Sequence, residues 1–346
     1  MSANSYRKIL VCRTDRIGDV LLSTPVLKAL RKNFPRSRIS VLVRPYARDV
    51  VLGNPYLDEL IIYDKYGRQK SLLGSIRFAW SLRKKKFDLA LVLHPTNRMH
   101  WITYLAGIKK RIGFNRKMGF LLTDKLEHKK QQGEKHELEY TLDILSLLGI
   151  KDEGKQLFMP IRQDSEKDIE KFLSKHSVKK GEKLIAIHPG ASCPSKVWPD
   201  ERFAQVADSL AQELKARIII VAGPDDIQQS QEVLKRLHCA GIDASGKTTV
   251  SQLASLIRRC SLFISNDSGP VHIAAALGVP VVAIFGRSQA GLSPRRWGPV
   301  GKNVIVLHKQ VGCQVCLAHN CSKHFACLLA ISVQEVLSAA RGVVVG

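Results

Sequence analysis

Ile9-Leu10-Val11-Cys12, followed by Arg13-Thr14-Asp15-Arg16-Ile17-Gly18-Asp19, is a short apolar run that breaks into a polar turn. A segment of helical period from about Asp19 to Asn33 comes next. Four apolar residues without alternation read as a strand covered on both faces, which is the signature of a parallel sheet. The same unit repeats outward. Ile39 to Val43, a short helix ending before Asn54-Pro55, Glu59 to Tyr63, a helix around Leu72 to Lys85 and Leu89 to Leu93 continue the alternation. Residues 115–135 are polar and basic, contain Gly119 and Gly133, and read as a loop or mobile flap. Helices from about His136 to Leu148 and Asp164 to His176 form the passage to a second half.

There the pattern restarts. Lys183 to Ile187 is a strand ending at His188-Pro189-Gly190, and Arg217 to Ala222, a strand near Ile242, Leu262 to Ser265 and Val281 to Ile284 follow between helices. A last helix covers about Ser332 to Arg341. The expected class is α/β, with two doubly wound parallel sheets over residues 1–160 and 161–330 and a C-terminal helix and tail over 331–346. Such sheets bind ligands at the carboxyl ends of their strands, so the active site is expected in a cleft between the halves.

Composition narrows the function. The 346 residues suit about two domains, and 45% hydrophobic residues exclude a coiled-coil, collagen-like or largely disordered chain. The first eight residues are polar, and the longest apolar run, Val271 to Phe285, is interrupted by Gly278 and Pro280. No secretory or membrane-spanning segment is therefore expected, and the location expected is cytoplasmic. The net charge is +24, and residues 1–155 carry 31 Lys or Arg against 15 Asp or Glu. An excess concentrated in one half favours a polyanionic partner: nucleic acid, an anionic membrane or a phosphorylated substrate. Aromatic residues at 6% and the lack of a recognisable nucleic-acid motif argue against nucleic acid.

Four motifs can carry chemistry. In the first turn Gly18 permits close approach to a ligand, and Asp19 reads either as a helix cap or as a general base at the strand-end rim. No G-x-G-x-x-G is present, which argues against a dinucleotide cofactor. The second motif is His188-Pro189-Gly190-Ala191-Ser192 with Ser195-Lys196-Val197-Trp198-Pro199. Its small residues let backbone N–H groups reach a phosphate, to which Lys196 adds a charge; the competing reading is a surface lysine beside a core tryptophan. The third, Asn266-Asp267-Ser268-Gly269-Pro270-Val271-His272, opens a helix whose N-terminus suits a diphosphate, with Asp267 placed for sugar hydroxyls. Here the competing reading is a capping Asp267 or Ser268 and a core His272. The fourth is Cys313, Cys316, Cys321 and Cys327, with His319 and His324 nearby, a spacing that can hold zinc or an iron–sulfur cluster but is not that of a zinc ribbon. A structural loop or labile thiols are the alternatives.

Together, Ile9 to Pro25, the two segments around Gly190 and Lys196, and Asp267 to His272 resemble the signatures of glycosyltransferase family 9, the ADP-heptose–lipopolysaccharide heptosyltransferases. The likeness runs in order over essentially the whole chain and leans towards the second heptosyltransferase type. It implies a GT-B fold: two Rossmann-like domains facing across a cleft, the first for acceptor and the second for ADP-heptose. It implies an inverting transfer that needs no cofactor. By motif, Asp19 matches the general base and Lys196 the lysine at the donor phosphates. Gly190, Ala191, Ser192, Asp267, Ser268, Gly269 and His272 match the donor loops, and Arg13, Arg16 and Gly18 are expected at the acceptor. Val197 departs from the Arg that many members carry between Lys and Trp. The resemblance gives the cysteine segment no catalytic task. The partners it implies are ADP-heptose, a phosphorylated inner-core lipopolysaccharide and the inner-membrane surface, where the enzyme would associate peripherally. A nucleotide-sugar 2-epimerase on the same fold, a basic polyanion-binding protein and a non-catalytic membrane scaffold are the competing readings.

Overall fold

The computed structural model describes residues 6–151, 153–313, 315–316 and 320–345. The chain divides into two compact units. One runs to Gln131 and resumes over Glu137–Pro160; the other takes Gln132–His136 and the chain from Ile161 onward.

The first unit is built on β1 (Lys8–Cys12), β2 (Arg38–Val43), β3 (Glu59–Ile62), β4 (Leu89–Val92), β5 (Lys110–Asn115) and β6 (Asp124–Glu127). They lie in the order β3-β2-β1-β4-β5-β6, every neighbouring pair parallel. The second unit uses β7 (Leu184–His188), β8 (Arg217–Ile220), β9 (Gly241–Asp243), β10 (Leu262–Asn266), β11 (Val281–Phe285) and β12 (Val304–His308). Its order is β12-β11-β10-β7-β8-β9, again all parallel. Counted from its own first strand, the second sheet repeats the plan of the first. Each is the Rossmann-like, doubly wound α/β sheet that GT-B proteins carry twice. The winding direction reverses between β1 and β4 and between β7 and β10, and such switch points leave a crevice at the strand ends.

The central strands form as read from their unbroken apolar runs. Ile9 to Cys12 and all of β10 are buried, and a fully buried Leu or Ile contributes about 1.5–3 kcal/mol relative to exposure. Three strands were not foreseen, and two of them, β6 and β12, close sheet edges. β5 and β6 read KRIGFN and DKLE, and the charges of DKLE are of the kind that guard an edge. Residues 115–135 are thus not a plain loop, because β6 pairs with β5 inside them. β12 follows β11 after only a 3-10 turn and the short helix Pro294–Trp297, so the expected rhythm of strand and long helix fails there. The helix expected from Asp19 to Asn33 is two, Ile17–Leu21 and Thr24–Asn33, because Pro25 starts a new first turn. The C-terminal helix Val333–Val345 packs on Asp200–Leu214 and on β11 within the second unit. Among the described residues no helix is long and apolar enough to cross a membrane.

Candidate active site

Both sequence-selected clusters lie at their sheet's switch point. In the first unit, Arg13 leaves the end of β1 and is only 2% exposed. Its guanidinium donates to the carbonyl of Leu93, just past β4, at 3.1 Å, tying the two strand ends together. The same guanidinium meets three carboxylates: Asp15 at 3.0 Å, Asp19 at 2.9 Å and Glu137 at 3.2 Å. Glu137 also accepts from the buried Lys130 at 2.6 Å. Asp19 combines its two sequence readings on separate oxygens. Oδ1 accepts from Arg13, while Oδ2 accepts from the backbone N–H of Arg16 at 3.3 Å in a capping arrangement. Arg16 is the helix N-cap, and Gly18 sits in the first helical turn. Burial pushes the Asp15 carboxyl up, and Asp19 and Glu137 add to this against the pull of Arg13. His94, after β4, meets the Thr14 hydroxyl at 3.1 Å. Burial and then the Arg13 charge hold its imidazole down to about 3, so it is neutral.

In the second unit the ends of β7, β10 and β11 converge. Lys196, on the 3-10 turn Pro194–Lys196, is 8% exposed, so it is not the surface lysine of the competing reading. Its ammonium lies 3.0 Å from Asp267 Oδ2 and donates to the Asp267 carbonyl at 3.2 Å. Arg287, two residues past β11, donates to the same Oδ2 at 2.7 Å. Burial pulls the Lys196 ammonium below its usual range, with Asp267 opposing and Arg287 reinforcing that pull. Two cations thus share one carboxylate, a local excess of positive charge suited to an anionic ligand.

The helix Gly269–Ala276 starts beside them. The Ser268 side chain does not cap it and instead meets the Ser265 hydroxyl at 2.8 Å. Its N-terminal dipole therefore adds to the field of the two cations. Asn266 braces the cradle: its amide donates to the Pro189 carbonyl at 2.5 Å and its carbonyl accepts from Trp198 N–H at 3.1 Å. Trp198 is fully buried, with its indole N–H on the Ile331 carbonyl at 3.0 Å. Gly190 is required by close approach, since a Cβ there would lie 2.4 Å from Asp226 Cγ. A recess of about 480 Å3 opens next to it, lined by Ala191, Ser192, Cys193, Pro194, Val197 and Phe325. His272 is buried one turn into the helix, and its Nδ1 has no hydrogen-bond partner. Burial, aided by His136, pushes it down to about 4.

The sequence missed four contributors: Asp15, Lys130 and Glu137 around Arg13, and Arg287 beside Asp267. For Arg287 a signal existed, a cation just past an apolar strand at the rim already occupied by Gly190 and Asp267. The cysteine segment is only partly drawn together. Burial pushes the Cys327 thiol up, and neighbouring Cys316 and Cys321 push it further. Cys321 Sγ accepts from the Phe325 N–H at 3.3 Å. His319 lies outside the described residues. Among the described residues no group of three or more His, Cys, Asp or Glu side chains is arranged to hold a metal ion.

Residues 75–326 match the family described as glycosyltransferase family 9 (heptosyltransferase). The chain belongs to this family. The family 9 enzyme is 28% identical over 341 residues to lipooligosaccharide heptosyltransferase 2 of Campylobacter jejuni, covering 95% of this chain and 97% of that one. Its fold is similar to the crystal structure of a family 9 glycosyl transferase from Veillonella parvula, with a TM-score of 0.87 and 30% identity over 98% and 97% of the two chains. The fold of Escherichia coli ADP-heptose lps heptosyltransferase II is also similar, with a TM-score of 0.81 and 23% identity over 98% of each chain. A glycosyltransferase of this family joins a sugar to an acceptor, and the strand-end clusters are where its chemistry is to be sought.

Proposed function

We propose that this glycosyltransferase moves heptose from ADP-heptose to the inner core of lipopolysaccharide, with inversion, without a metal, and with Asp19 as general base. The likeness to the C. jejuni heptosyltransferase 2 over nearly the full length of both chains supports the second-type assignment. The observation that carries the mechanism is the convergence of Lys196 and Arg287 on Asp267 beside a helix start. This arrangement supports binding of a diphosphate, because fixed cations and backbone dipoles stabilise the negative charge that ADP gains on leaving. They do so without the reorganisation that water would need, which is the role a divalent ion plays elsewhere.

Asp19 supports the other half of the reaction. An acceptor hydroxyl is a weak nucleophile until a positioned base takes its proton. As the acceptor oxygen bonds to the anomeric carbon, its proton passes to the Asp19 carboxylate, and the electron pair of the breaking bond leaves with the β-phosphate of ADP. A single displacement inverts the anomeric centre. Arg13 and the Arg16 N–H fix the Asp19 rotamer, and the two further carboxylates on Arg13 divide its charge three ways. The basic first unit is then suited to a phosphorylated glycolipid at the cytoplasmic face of the inner membrane, where the enzyme would associate peripherally. The deciding experiment incubates the enzyme with ADP-heptose and a panel of truncated core acceptors. Mass spectrometry should find one added heptose on a heptose-bearing inner core. Free or epimerised sugar without acceptor transfer would reject the reading.

A further inference from the structure

The helix Leu72–Lys85 has two apolar faces. Ser75, Phe78, Ala79 and Leu82 are buried, the last three within the core of the first unit. Adjoining that face, Leu72, Leu73 and Trp80 are 67%, 67% and 61% exposed, and half-buried Ile76 completes the stripe. At 3.6 residues per turn these four occupy an arc of about 100°. Exposed Arg77 and Lys84 border it. A helix resting on a core usually turns a polar face outward, and a contiguous apolar group there marks an interaction surface.

Charge identifies what the surface meets. From Lys65 to Phe87 the sequence holds eight Lys or Arg and no Asp or Glu. Exposed Tyr66 adds an aromatic ring held under Arg44 at 4.6 Å and Lys65 at 4.7 Å. Self-association through this face would bring like charges together. A surface that is negative and apolar beneath satisfies both parts of the pattern.

We propose that this face docks the first unit on an anionic lipid bilayer, with the helix lying in the interface plane. Leu72, Leu73 and Trp80 enter the boundary between headgroups and acyl chains, while the basic border meets lipid phosphates. The proposal deepens the functional reading and rests on it in one respect: a glycolipid acceptor gives the docking its purpose.

The test separates the two. Co-sedimentation uses the full chain with phosphatidylcholine vesicles, with or without phosphatidylglycerol. A Leu72→Gln/Leu73→Gln/Trp80→Gln variant is compared with the parent, and both are assayed on a delipidated, soluble core oligosaccharide. The parent should bind only the anionic vesicles, less at high salt, and the variant should lose about tenfold or more of that binding while keeping soluble-acceptor transfer. Brominated lipids should quench the parent's fluorescence far more than that of Trp80→Phe, which serves should the triple variant misfold. Equal vesicle binding by parent and variant, quenching unchanged by Trp80→Phe, or a parent that ignores anionic vesicles would overturn the proposal. So would a concentration-dependent dimer abolished in the variant. Failure of the parent to glycosylate any core acceptor would instead reject the functional reading, whatever the vesicles show.

Discussion

Arg13 donates to Oδ1 of Asp19 at 2.9 Å from a position almost fully shielded from water. The carboxylate is thereby aimed by a charge that cannot swing away, since the same guanidinium is anchored on the Leu93 carbonyl. Asp19→Asn keeps the shape and removes the proton acceptor. Transfer should fall about 100- to 10,000-fold, the usual range for losing a general base, while calorimetry finds ADP affinity nearly unchanged. A variant retaining most of its turnover would exclude Asp19 as the base.

On the proposed reading, Lys196 and Arg287 act on the other substrate. Lys196→Ala and Arg287→Gln each remove a charged donor, a loss of about 1.5–3 kcal/mol, so ADP binding should weaken by roughly ten- to 150-fold. Isothermal titration with ADP measures this directly. If Arg287→Gln binds ADP like the parent, Arg287 serves only to hold Asp267.

Asn266 contributes through structure. Asn266→Ala leaves the Pro189 carbonyl and the Trp198 N–H unpaired in a buried place, which destabilises by about 2–4 kcal/mol. Thermal melts should show a clear fall in midpoint for this variant, and KM for the donor should rise.

Buried histidines make stability pH-dependent. His188 and His272 are each held down to about 4 by burial, against an ordinary 6.5. Between those values the unfolded chain takes up protons that the folded one refuses, so stability is full above pH 6.5 and is lost as pH falls towards 4. Each contributes a slope of about 1.4 kcal/mol per pH unit within that window. Urea midpoints should drop from pH 7 to pH 5, and a folded His272→Gln should show a shallower drop.

A chelator provides the remaining check. If, as proposed, Lys196, Arg287 and a helix N-terminus meet the leaving-group charge, EDTA should leave the initial rate of transfer unchanged. A rate that collapses with EDTA and returns with added magnesium would contradict the metal-free mechanism.

Much of this was legible from local sequence. Continuous apolar runs such as Ile9 to Cys12 marked the central strands, and the small residues after them marked the rims. Asp19, Lys196 and Asp267 followed, because strand ends of a doubly wound sheet are where ligands bind. What escaped depended on distance along the chain. Glu137 reaches Arg13 across 124 positions and Arg287 reaches Asp267 across 20, and neither pairing leaves a local pattern. Lys130 was hidden differently: one cation in a basic stretch gives no sign that it alone is buried. The strand β5 and the edge strand β6 were obscured by their charged residues, which at an edge protect against pairing with other chains.

The shared strand order of the two sheets has an engineering consequence. Because each half winds its own crevice from its own strands, sugar choice and acceptor choice are separable traits on the proposed reading. A hybrid joining this first half to the second half of a relative should inherit one preference from each parent.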